Sequence, residues 1–106
     1  MEEKRTLKKE EINELIDQYH NLTVDLNRYE RLKWRRDFRN ADKETKIIAR
    51  KQKKFFKAAL NATLETLIDQ DALPNNTAIA ALFNRFVSFK TKWAVSKYLR
   101  VIHSNK

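Results

Sequence analysis

The sequence predicts an all-α protein, an antiparallel up-down-up bundle of three long helices. Three observations carry that expectation. Apolar residues recur at spacings of three and four along most of the 106 residues, no segment alternates with period two, and only two places hold residues that stop a helix. A chain of this length makes one domain, since two would each be marginal.

The first predicted helix covers residues 7–38, with Thr6 as its N-cap. Ile12, Leu15, Tyr19, Leu22, Leu26 and Tyr29 follow one another at 3, 4, 3, 4 and 3, an a/d seam. The seam fails at Lys33 and Arg36, which argues for a bundle helix rather than an autonomous coiled coil. Asn40-Ala41-Asp42 supplies the first break, because Asn tolerates a left-handed C-terminal turn and Asp42 can cap the helix that follows. The second predicted helix covers residues 43–71. Pro74 ends it by pushing Leu73 out of the α region, and Thr77 offers the N-cap of a third helix over residues 77–102. Short connections between long helices imply antiparallel neighbours. A few residues at either end are expected to be disordered.

Ala58, Ala59, Leu60, Ala62, Leu64, Leu67 and Ile68 surround the second helix, so it should be buried on several sides. A homodimer through this apolar pole is one way to supply the cover. On the third helix, Ile79, Leu82, Phe83, Phe86 and Trp93 share a face, the expected core stripe. Lys90 and Lys97 fall inside that arc. They either snorkel to solvent or mark an exposed basic-aromatic surface suited to single-stranded nucleic acid or an anionic membrane.

Missing residues narrow the chemistry. With no Gly, P-loops, Rossmann turns and nucleophile elbows are excluded as usually built; with no Cys, so are disulfides, thiolate nucleophiles and zinc-thiolate sites. His20 and His103 lie on different predicted helices, and no carboxylate pair is set across helices by the pattern, so neither a metal site nor general acid–base work is indicated. A non-enzymatic protein without cofactor or metal is expected. No run of about 18 apolar residues occurs, and Met1-Glu2-Glu3-Lys4-Arg5 leads into a polar helix pattern, so the expected setting is the cytoplasm. The sequons at Asn21, Asn61 and Asn75 mean nothing there.

Charge is the informative feature. The formal balance is +9, from 23 basic and 14 acidic residues. Residues 1–30 carry −3, residues 31–57 carry +9, residues 58–89 carry −2 and residues 90–106 carry +5. In an up-down-up bundle the two positive segments meet at one pole, giving about +14 there against −5 at the other. Arg31, Arg35 and Arg39 continue a stripe from Arg28 on the first helix, with Arg36 beside them. Lys43, Lys46, Arg50, Lys53, Lys54 and Lys57 fall within about 100° on the second. Aligned cations of this kind suit phosphate backbones, since each neutralised phosphate releases counterions, and Arg suits bidentate phosphate contact.

Trp34 and Phe38 stand four apart beside those arginines. They are expected to be covered by the third helix; exposed, they would stack on bases. The Leu73–Thr77 turn makes a poor helix-turn-helix, because Ala78-Ile79-Ala80-Ala81-Leu82-Phe83 is too apolar to read a major groove.

The expected function is therefore nucleic-acid binding, to DNA or RNA, mainly through backbone phosphates. The ten candidate cations are Arg31, Arg35, Arg36, Arg39, Lys43, Lys46, Arg50, Lys53, Lys54 and Lys57, with Trp34 and Phe38 as candidate aromatic contacts. A small basic protein of this composition suits a phage- or mobile-element-encoded accessory factor. The alternative is a protein-interaction module, an inhibitor or adaptor that meets an acidic protein partner or an anionic membrane surface. Residues 79–89, Ile-Ala-Ala-Leu-Phe-Asn-Arg-Phe-Val-Ser-Phe, follow an amphipathic helix and a Pro-containing turn, and they resemble the second half of the helical-bundle immunity proteins that protect bacteriocin producers. That resemblance spans a short stretch of ordinary helix-core residues and implies the interaction module.

Overall fold

A computed structural model describes residues 6–32 and 34–104. The ends expected to be disordered, and the seam position Lys33, lie outside the described residues. These form five helices and no strand: α1 (Lys9–Leu32), α2 (Arg36–Arg39), α3 (Lys43–Asp69), α4 (Asn75–Leu82) and α5 (Phe89–Ser104). The all-α class holds; the three-helix division does not.

α1 starts at Lys9 rather than just after Thr6, because Glu11 Oε1 accepts from the Lys8 N–H at 3.2 Å and so supplies half of a capping box. It ends at Leu32, six residues early. The Trp34 N–H donates to the Arg31 carbonyl and the Arg35 N–H to that of Leu32, and Arg35 is then extended, with ψ 141°. After the break, Phe38 lines one cavity together with Tyr29, Leu32 and Ala49. Asn40 closes α2 in the right-handed region, φ −91°, not the left-handed turn expected of it. Asp42 caps α3 as expected, its carboxylate accepting from the Thr45 N–H at 2.8 Å.

α1 and α3 form a long antiparallel hairpin. Leu7 N–H donates to Gln70 Oε1 at 2.9 Å, Gln18 Nε2 to Thr63 Oγ1 at 2.8 Å, and Tyr29 OH to Gln52 Oε1 at 2.6 Å. The tip of this hairpin holds α2 and its flanking turns; the base holds the start of α1 and the end of α3. The molecule measures 54 × 28 × 24 Å.

The third predicted helix is two. Proline takes the cap position, so α4 starts at Asn75 instead of after Thr77. α4 ends at Phe83, where Asn84 makes a side-chain turn: its Oδ1 accepts from the Phe86 N–H at 2.9 Å while its Nδ2 donates to Tyr19 OH and Thr23 Oγ1. Phe86 and Val87 plug into the core, and Ser88 Oγ accepts from the Thr91 N–H at 3.3 Å to begin α5. The chain thereby reverses. Asn61 on α3 binds Ser88, Glu65 binds Thr91, and Asp71 binds Tyr98, so α5 runs parallel to α3, toward the base. The up-down-up expectation fails at this turn.

Leu26, Leu60, Leu64, Leu67 and Val95 are fully buried where α1, α3 and α5 meet, with Ala78 and Ala81 of α4 closing the layer. The chain itself thus covers Leu60, Leu64 and Leu67 of α3, while Ala58 and Ala62 stay exposed. The expected core stripe of the third helix holds only at Phe86, which is buried, and Leu82, which packs against the core; Ile79, Phe83 and Trp93 are exposed. Phe83 is 84% exposed and Trp93 70%, while Thr91 and Val95 turn inward.

Candidate nucleic-acid interface

The tip is built from α2 and the adjoining ends of α1 and α3, without packing from α4 or α5. Because α5 runs to the base, its cations do not gather at the tip with those of residues 31–57, and the expected +14 pole does not form. A simpler division replaces it. The −3, −2 and +5 of the other segments cancel, so the +9 of the sequence is that of residues 31–57, whose described members form the tip and the adjoining half of α3. Repulsion among these groups opposes folding of the tip and is relieved by salt, or more locally by a polyanion.

Two basic concavities occupy this end. Arg28, Arg31 and Arg35 surround one, with Leu32 as its floor. Trp34, Phe38, Arg39, Lys46 and Arg50 line the other, a cleft of about 450 Å³. Trp34 is 72% exposed. No helix covers it, contrary to expectation, because α5 lies elsewhere; Phe38 is half-buried, its ring serving both the cleft and the packing beneath it. An exposed indole among guanidinium groups can present a ring face to a base while the arginines hold phosphates.

The ten candidate cations do not behave alike. Arg31, Arg35, Arg36, Arg39, Lys43, Arg50, Lys54 and Lys57 are exposed. Lys46 is half-buried and donates from Nζ to the Arg39 carbonyl at 2.8 Å, tying α3 to the end of α2. Lys53 is paired with Glu30, whose side chain is only 12% exposed. That ammonium stitches α3 to α1 and is a poor phosphate contact. Of the three acidic residues here, Asp37, Asp42 and Glu44, Asp42 shapes the tip: hydrogen bonds from Thr45, side chain first and then backbone, hold its carboxyl below the usual carboxylate range. It stays ionised at neutral pH and fixes the turn into α3.

Residues outside the expected set also belong to the surface. Arg28 joins the first concavity. Phe89 is 91% exposed and begins a basic-aromatic face on α5, the minor reading of that segment in the sequence. Ser88, three residues before Thr91, was the N-cap signal that could have separated this face from the core stripe. No family model, curated protein or solved structure matches the chain. No described helix is long and apolar enough to cross a membrane.

Proposed function

We propose that this protein binds nucleic acid through the basic tip of the α1–α3 hairpin, mainly by contacts to backbone phosphates. The observation that carries the reading is the placement of the whole net charge on residues 31–57, an end of the molecule that no other helix covers. Exposed arginines supply bidentate donors for phosphate oxygens, and Trp34 adds a ring for a base or sugar. Sequence discrimination should be weak, because phosphate contacts position a protein without reading bases.

Fluorescence anisotropy with a labelled oligonucleotide at low salt tests this. Replacing Arg39, Arg50 and Lys54 with Gln should lower affinity at least tenfold, while the same change at Lys8 and Lys9, at the base, leaves it within about twofold. Absence of binding by the unaltered protein contradicts the reading. Binding that both sets of substitutions weaken equally contradicts its location.

A further inference from the structure

The basic stripe on α3 does not stop at Lys57. Lys43, Lys46, Arg50, Lys54, Lys57 and Asn61 follow one another at 3, 4, 4, 3 and 4, so Asn61 lies on the same face. Asn61 is where α5 begins: its Oδ1 accepts from the Ser88 N–H at 2.8 Å and its Nδ2 donates to the Phe86 carbonyl at 3.3 Å. Since α5 runs parallel to α3, it lies over the continuation of the stripe and presents its own outer face there. With Thr91 and Val95 inward, 100° per residue puts Phe89, Lys90, Trp93, Lys97, Arg100 and Val101 on the opposite side, and all six are exposed. Lys97 Nζ stands 5.5 Å from the centre of the Trp93 ring.

This face has no acidic residue of its own, because the last carboxylate side chain in the sequence is Asp71. Glu65, the carboxylate of α3 nearest the start of α5, is half-buried and accepts from Thr91 Oγ1. Two large aromatic rings standing in water, flanked by cations and continuous with a cationic stripe, fit a strand that offers phosphates and unstacked bases together. A duplex offers only the first.

Resting on the nucleic-acid reading, we infer that the occupant is single-stranded nucleic acid, laid from the tip along α3 and then along α5, with Phe89 and Trp93 as stacking platforms. The 15 residues from Lys43 to Lys57 and the 12 from Phe89 to Arg100 give a track of roughly 40 Å at 1.5 Å per residue, enough for on the order of ten nucleotides.

The test compares a labelled single strand of about 15 nucleotides with a duplex of the same length, a site of the size such surfaces cover. Replacing Phe89 and Trp93 together with Ala should reduce single-strand affinity tenfold or more and duplex affinity by less than about threefold. In Trp34→Phe, where Trp93 is the sole tryptophan, the single strand should quench the emission. Unchanged single-strand binding by the double variant, or an equal loss for both ligands, overturns the stacking track; the tip reading survives if the Arg39, Arg50 and Lys54 variant still loses affinity. No binding of either ligand at low salt overturns both. Capture by anionic phospholipid vesicles that depends on Phe89 and Trp93, with single-strand affinity independent of them, assigns this face to membranes and also overturns the inference.

Discussion

Asp71 holds a left-handed backbone, φ 53°, in a chain that has no glycine to place there. It ends α3 in a Schellman arrangement: the Ala72 N–H donates to the Leu67 carbonyl at 2.9 Å and the Asp71 N–H to that of Ile68 at 3.0 Å. Its carboxylate also accepts from Tyr98 OH at 3.0 Å. Asp71→Ala keeps the backbone strain and removes that bond, so chemical denaturation should show a loss of about 1–2 kcal/mol. Asp71→Gly should lose less, having relieved the strain. Burial, and then the Asp71 carboxylate, push the Tyr98 hydroxyl above its ordinary pKa of 10. The stability this gives is complete below pH 10 and is lost as pH rises through the raised value; Tyr98→Phe should show a smaller alkaline decline. At Asp42 the sign is opposite. Its folded pKa lies below the ordinary 3.8, so the cap contributes fully above that value and fails as pH falls through the lower one. Unfolding measured against pH in Asp42→Asn should lack that acid-side step.

Among the elements, α3 is the one with two characters. Leu60, Leu64 and Leu67 in its second half are fully buried, whereas Ile48 and Phe55 in its first half are 56% and 69% exposed. Leu64→Ala should cost about 2–5 kcal/mol, and Ile48→Ala well under about 1 kcal/mol, in the same denaturation experiment. Amide exchange should run faster over residues 43–56 than over residues 60–69, because only α1 and the four-residue α2 flank the first stretch. The existence of α1 and α3 was legible from the seam and from Asp42, since periodicity and a capping side chain are local signals. The break at Asn84 was not. No Gly or Pro marks it, and the residues around it, from Ile79 to Phe89, keep a helical pattern. What decides it is a long-range match of the Asn84 amide to Tyr19 and Thr23 on α1. That one turn reverses α5, and Trp34, Phe83 and Trp93, all expected to be buried, are exposed. The cationic candidates were legible by type and spacing, but the inward pairing of Lys53 depends on Glu30, a carboxylate of the opposite helix.

At the scale of the whole molecule, the hairpin separates a charged end from a packed one. The base buries the core, while the described part of residues 31–57, the tip and the adjoining half of α3, carries most of the exposed cations and none of the buried core. A protein so divided can fold on its base and commit its tip to an anion. Salt dependence of affinity reads that commitment directly, because each phosphate that the protein ceases to neutralise takes about 0.9 off the slope of log K against log salt on duplex DNA. The decisive measurement is this slope for the unaltered protein, for Arg50→Gln with Lys54→Gln and Lys57→Gln, and for Lys53→Gln. A steep slope is expected for the first, a slope lower by about 2–3 for the triple variant, and an unchanged slope with reduced stability for Lys53→Gln. A slope near zero in the unaltered protein, or one that the triple variant does not alter, would contradict phosphate binding at the tip.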